Sequence, residues 1–131
     1  MIELILSDSS ENLHLQQAIT RLKAGGVIAY PTEGVWGLGC LWTDEVAIQE
    51  ILRLKQRPLE KGMIVLCAQF SDIEAFLLPL APIHRQQLEQ DYSHPVTWIL
   101  PCKLSVSESV RGQHSSIAVR FSRHPQVQAL C

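Results

Sequence analysis

The residues with most chemistry to offer are Thr32, in Tyr30-Pro-Thr-Glu-Gly-Val-Trp-Gly-Leu-Gly39, and the cations Lys55, Arg57 and Lys61, in Lys55-Gln-Arg-Pro-Leu-Glu-Lys61. A threonine hydroxyl both donates and accepts hydrogen bonds. Gly34, Gly37 and Gly39 allow backbone to approach a ligand closely, and Trp36 offers an aromatic wall. Clustered cations neutralise a polyanion, arginine as a planar fork and lysine as a point charge. A strand end, a Pro-Thr turn and a nearby basic trio describe a pocket for a phosphorylated or carboxylated ligand. Plainer readings stand beside this one. Thr32 can satisfy a local amide in a glycine-rich connection, and the cations can form a solvated corner that favours the negative end of a helix dipole. The glycine spacing matches neither a phosphate-binding P-loop nor a dinucleotide fingerprint.

Arg120 carries a different signal. In Ile117-Ala-Val-Arg-Phe121, strand alternation places Ala118 and Arg120 on one face, with Val119 and Phe121 on the other. A charge so placed needs a partner or a ligand, unless the strand is an edge strand with its arginine in water. Thr97, in Pro95-Val-Thr-Trp-Ile99, is equally a candidate ligand and a plain strand former. His14, His84, His94, His114 and His124 show no i, i+4 pair and no cysteine at ligand spacing, so no metal site is expected. Ser115-Ser116 lacks the Gly-x-Ser-x-Gly elbow of a serine hydrolase. Cys40, Cys67, Cys102 and Cys131 form no CxxC pair and read as free, mostly buried thiols.

Strand-like and helix-like segments alternate to hold these residues, which predicts a layered α/β domain. Ile2 to Leu6 reads as an opening strand. Leu15, Ala18, Ile19 and Leu22 form a helical stripe, Gly25-Gly26 closes that helix, and Val27 to Tyr30 is a short buried strand stopped by Pro31. A second helix is expected from Asp44 to Lys55, capped by Thr43 or Asp44, with Ala47, Ile48, Ile51 and Leu52 inward. Met63 to Ala68 reads as a continuously apolar strand. Ser71-Asp-Ile-Glu74 has the form of a capping box before a short helix, and a further helix is expected from Pro82 to Gln90. Val96 to Leu100 and Ile117 to Phe121 are strands, and Pro125 starts a last helix that offers only Val127, Ala129 and Leu130 before Cys131.

The 131 residues fit one domain, and 47% hydrophobic with 18% charged residues excludes a disordered chain. Eleven Lys and Arg against 13 Asp and Glu leave a net charge of −2, so no global basic field draws the chain to nucleic acid or membrane. No apolar run approaches a membrane span and no basic start suggests a signal peptide, so a cytoplasmic location is expected.

Ala29-Tyr-Pro-Thr-Glu-Gly-Val-Trp-Gly-Leu-Gly-Cys40, Leu54-Lys-Gln-Arg-Pro58 with Lys61-Gly62, His94-Pro-Val-Thr97, and Ala118-Val-Arg120 with His124-Pro125 resemble, in order, the motifs of the YrdC/Sua5 family, the L-threonylcarbamoyladenylate synthases, in its short bacterial form. The resemblance covers nearly the whole chain. It implies an open, twisted mixed sheet flanked by helices, of the YrdC/RibB-like kind. It also implies a reaction in which L-threonine, bicarbonate and ATP give threonylcarbamoyl-AMP and pyrophosphate, after which a transferase modifies A37 of tRNAs reading ANN codons. On this resemblance Thr32 lies in the threonine pocket and Lys55 and Arg57 meet ATP phosphates. Lys61 extends the basic cluster, and Thr97 and Arg120 line the shared cavity. Magnesium would accompany ATP, with no tightly bound cofactor. The alternative the family carries is a non-catalytic module for double-stranded RNA and ribosome maturation, using Lys55, Arg57 and Lys61. Two departures stand out. The family's Pro-Gly-Pro-x-Thr is Ser93-His94-Pro95-Val96-Thr97 here, and its later Ser-x-Asn strand has no counterpart before Cys131, so the C-terminal part of the fold is expected to be missing.

Overall fold

A computed structural model describes residues 2–3 and 11–131, which form two three-stranded mixed sheets with helices packed on and between them. In the first sheet, β1 (Ile2–Glu3) runs parallel to β2 (Ile28–Tyr30), and β2 pairs antiparallel with β3 (Gly37–Gly39). In the second, β4 (Ile64–Cys67) runs parallel to β6 (Ser116–Phe121), and β5 (Trp98–Pro101) pairs antiparallel on the other side of β6. The helices are α1 (Glu11–Lys23), α2 (Glu45–Lys55), α3 (Pro82–Leu88), α4 (Glu108–Arg111) and α5 (Pro125–Leu130). No helix among the described residues is long and apolar enough to cross a membrane.

Most expected elements appear, with informative shifts. The opening strand is seen at Ile2–Glu3, and residues 4–6 lie outside those described. Asp44 caps α2, its Oδ1 accepting from the Ala47 amide at 3.1 Å, and Ala47, Ile48, Ile51 and Leu52 are buried as the stripe requires. The capping box expected at Ser71–Glu74 sits two residues earlier. Asp72 Oδ2 accepts from the Gln69 amide at 3.0 Å, and two 3-10 turns, Phe70–Asp72 and Glu74–Phe76, replace a helix. The glycine-spaced segment expected to be loop includes β3, because Gly37 and Gly39 present no side chain against the ring of Tyr30 across the pair. Helix α4 was not anticipated, since four residues carry no legible period.

The main core gathers Ile48 and Leu52 of α2, Val65 and Cys67 of β4, Leu100 of β5, and Ile117 and Val119 of β6, with Val106 and Val110 beside them. A separate cluster joins Ala18 and Leu22 of α1 to Ile28 of β2, and Tyr30 and Leu130 pack against it. Helix α5 ties the halves together, contacting α1 and β4 while Val127 is buried. An apolar groove of about 390 Å³ runs between the sheets, lined by Leu22, Ile28, Leu38, Trp42, Leu66 and Val127.

Candidate functional site

The strand carrying Arg120 is central in its sheet, with β4 on one side and β5 on the other. The edge-strand reading of Arg120 therefore fails. Ile117 and Val119 point into the core at 1% and 0% exposure, while Ala118 and Arg120 lie half-buried on the opposite face. The register sets Ile64 and Ile99 beside Ala118, and Leu66 beside Arg120. Ile64 and Ile99 are 47% and 67% exposed, so this face is an open apolar floor with a guanidinium set in it. Met63 to Ala68 thus alternates and is not the continuously buried strand expected from its composition.

Thr97 directly precedes β5, where extending the antiparallel register places it opposite Arg120. Arg120 donates to Thr97 Oγ1 from Nε at 3.1 Å and from Nη2 at 2.8 Å. Two of the five N–H groups of Arg120 are engaged, Nη1 remains uncommitted, and the Thr97 hydroxyl, accepting twice, keeps its own proton to donate.

The basic segment is built by the end of α2. Gln56 adopts the left-handed conformation (φ 50°) that closes the helix, and the Arg57 amide donates to Leu52 O at 3.0 Å. Arg57 Nε then donates to Gly62 O at 2.9 Å, drawing the 57–62 loop into a small ring that carries Lys61. That ring docks on α4, where the Met63 amide donates to Val110 O at 2.8 Å. Gly62 has φ +66°, and a Cβ there would meet Val110 O at 2.7 Å, so only glycine fits this joint.

Arg53, Arg85, Arg111 and Arg123 each pair with a carboxylate, of Glu50, Glu74 and Glu89, Glu108, and Asp91 respectively. Among the described residues, Arg57 and Arg120 bond only to uncharged oxygens. Lys55 and Lys61 are exposed and have no acidic partner among the described residues. Arg21, Lys23 and Lys103 also lack a carboxylate partner among the described residues, so what distinguishes Lys55, Arg57, Lys61 and Arg120 is their place at the end of α2, in the loop into β4 and on β6, where they suit an external anion.

Thr32 is placed elsewhere. Its Oγ1 donates to Val35 O at 2.6 Å, closing the 32–35 turn and leaving the oxygen as an acceptor. The plainer reading of a local bond is thus met, though acceptance of a ligand donor stays open. Gly39 serves packing: a Cβ there would lie 2.4 Å from Tyr30 Cε1, and burial raises the Tyr30 phenol to about 12. The next residue, Glu33, makes the long-range contact. Its Oε1 accepts from Ser122 Oγ at 2.6 Å, from the Arg123 amide at 3.0 Å and from the His124 amide at 3.2 Å. Burial alone would raise the Glu33 carboxyl, but the hydrogen bonds from Ser122 and the two amides outweigh it and hold the group below its ordinary value.

Thr97 and Arg120 are therefore in contact, and Arg57 and Lys61 share one loop. The Thr32 loop and the basic loop lie toward different ends of β4 and β6. Lys61 leads into the start of β4, whereas Glu33 fixes the Thr32 loop beyond the end of β6. Because β4 and β6 are parallel, about 10 Å of strand separates these ends, with Arg120 in the interval. Neither the inter-sheet groove nor a second, more polar groove of about 880 Å³ beside His94, Trp98 and Arg123 is lined by any of the six residues. The arrangement is an open floor flanked by two loops.

Glu33 and Ser122 were missed because they lie 89 positions apart and form no local pattern. His124 Nδ1 accepts from the Gln126 amide at 3.3 Å, a structural use of imidazole. All four cysteines are free, and burial lifts Cys67 to about 12 and Cys40 to about 11. Among the described residues no three His, Cys, Asp or Glu side chains are grouped to hold a metal ion.

The family model named for Sua5, YciO and YrdC, described as Telomere recombination, matches residues 20–131. The threonylcarbamoyl-AMP synthase of Saccharophagus degradans is 47% identical over 117 residues, covering 89% of this chain and 61% of that protein. The Marinobacter nauticus protein of the same name is 48% identical, covering 96% of this chain and 68% of its own length. The chain thus spans roughly two thirds or less of such relatives. Among solved structures, P. abyssi Sua5 complexed with L-threonine superposes with a TM-score of 0.88 at 26% identity, covering 99% of this chain and 38% of that one. E. coli YciO gives a TM-score of 0.75 at 26% identity, with 88% and 56% covered.

Proposed function

The chain belongs to the Sua5/YciO/YrdC family, and from that membership we propose that it forms the greater part of an L-threonylcarbamoyladenylate synthase, a nucleotide-transferring enzyme of tRNA modification. The observation that carries the reading is a set of cations without carboxylate partners among the described residues, Arg120 on the open sheet face and Lys55, Arg57 and Lys61 where α2 leads into β4. In the reaction, threonine and bicarbonate condense to a carbamate with loss of water. A carbamate oxygen then attacks the α-phosphorus of ATP and pyrophosphate departs. Lys55, Arg57 and Lys61 would meet the phosphates, offsetting charge on the transferring group and on the leaving pyrophosphate. Arg120, held by Thr97, would lie between the phosphate end and the amino-acid end, with Nη1 available to a bridging oxygen. Thr32, its proton spent on Val35, would accept from the amino acid. A span of about 10 Å suits an extended ligand with an anion at one end and an amino acid at the other. ATP would be taken as its magnesium complex. With no cluster of carboxylates among the described residues, the protein's share of charge neutralisation falls to the cations.

The test is pyrophosphate release from ATP and bicarbonate with and without threonine, alongside threonine binding by calorimetry. Threonine-dependent release that disappears in Lys55→Ala supports the reading. Neither binding nor release in wild type overturns it. Salt-steep binding to double-stranded RNA that ignores threonine would favour an RNA-binding module built on the same cations.

A further inference from the structure

We propose that Glu33 is a positioning residue that latches the Thr32 loop of the first sheet to the turn after β6 of the second, and so sets affinity for the amino-acid substrate. Thr32 leaves β2 in one sheet, while Arg120 lies on β6 in the other, and the two sheets share no strand pairing. Something must fix their separation. Within residues 31–36, Thr32 Oγ1 donates to Val35 O and the Glu33 carboxylate is also met by its own backbone amide. Among the described residues, the only hydrogen bonds from this loop to the rest of the protein converge on Glu33 Oε1. Packing adds little, since Val35 and Trp36 are 77% and 55% exposed and nothing lies within 4 Å of a Cβ added at Gly34.

The receiving side is rigid. Ser122 is 1% exposed and two residues past Arg120, its own amide donates to Cys67 O at 3.0 Å, and its Oγ accepts from the His124 amide at 3.2 Å. Gln128 Nε2 donates to Ser122 O at 2.8 Å. A carboxylate reaching this turn connects Thr32 to the strand of Arg120 through one side chain. Charge-assisted bonds to a single oxygen are short and directional, which suits a latch better than a hydrophobic contact does. The inference that Thr32 serves the amino acid rests on the function proposed above, whereas the latch itself does not.

The experiment compares Glu33→Ala, Glu33→Gln and wild type by amide hydrogen exchange at Arg123 and His124, whose amides donate to Glu33, without ligand, and by separate titrations with threonine and ATP. Glu33→Ala is expected to speed exchange of the Arg123 and His124 amides and weaken threonine binding, each by about tenfold or more, with ATP binding changed less than about twofold. Glu33→Gln, whose amide oxygen still accepts, should recover most of both losses. Unchanged exchange in Glu33→Ala overturns the latch, and so does an equal loss of threonine and ATP binding that Gln does not rescue. A wild type that binds no threonine refutes the amino-acid reading alone, and the exchange ratio then upholds or overturns the latch by itself.

Discussion

Gly62→Ala tests whether the basic loop is held by its joint with α4. At φ +66° and ψ −173°, Gly62 occupies a region almost closed to residues with a Cβ, which costs about 1–3 kcal/mol. The added Cβ would also stand 2.7 Å from Val110 O, 3.0 Å from the Arg111 carbonyl carbon and 3.1 Å from the Gly112 amide. All are backbone atoms, so no side chain can swing away. Relief requires the 57–62 loop to lift from α4, which breaks the bond from the Met63 amide to Val110 O, about 1 kcal/mol more. The expected loss is about 2–4 kcal/mol of a total near 5–15. In urea, with a slope of about 2 kcal/mol per molar, the midpoint should fall by roughly 1–2 M. Gly34→Ala is the control, because its Cβ would meet nothing within 4 Å and its φ is not positive. Equal midpoints for the two variants, or a Gly62→Ala shift below about 0.3 M, would refute the reasoning.

Lys55→Ala, which removes a cation with no acidic partner among the described residues, should weaken ATP binding by about tenfold while leaving the urea midpoint nearly unchanged. Gln56→Gly relieves a left-handed non-glycine residue at the end of α2 and should raise stability by about 0.5–1 kcal/mol in thermal or urea melts. Glu45 is held below its ordinary value by hydrogen bonds from Ser107, Ser109 and Gln49, and Glu33 is also depressed. Their stabilisation is complete above the unfolded carboxyl value of about 4.3 and is lost as pH falls through the lower folded values. Urea midpoints measured down to about pH 3 should therefore decline on acidification, less steeply in Glu45→Gln. Iodoacetamide near pH 8 should label exposed Cys131 first and reach Cys67 and Cys102 only on unfolding, read by mass spectrometry.

Local grammar was legible where cause and effect lie close in sequence. The stripe and cap of α2, the stop at Pro31, the start at Pro125 and the alternation at Val119 and Arg120 each follow from a few adjacent residues. What escaped depends on distant partners. Composition made 63–68 look buried throughout, yet pairing turned Ile64 onto the open face. Gly39 read as a ligand approach until Tyr30 was seen across the strand pair. The Pro-Thr turn and the basic trio were read as one neighbourhood, and the parallel register of β4 and β6 sets them toward different ends of those strands. Thr97 and Arg120, 23 residues apart, were each ambiguous alone, and their contact removes part of that ambiguity. Glu33 carried no signal until the turn at Ser122 appeared beside it.

Two hydrophobic clusters without shared residues shape how the molecule breathes. Ala18, Leu22 and Ile28 pack apart from the core around Val65, Ile117 and Val119. Units with separate cores open separately, so the α1–β2 unit should undock at a free energy below that of global unfolding. Thr32 hangs from the α1–β2 unit, while Arg57, Lys61 and Arg120 belong to the other. A ligand that spans both binds only the docked arrangement, so at a hundredfold excess over its dissociation constant mass action adds about 2.7 kcal/mol to the cost of undocking. Helix α1, which carries none of the candidate residues, would then report occupancy: the molecule would register its ligand as a stiffening of a helix outside the site.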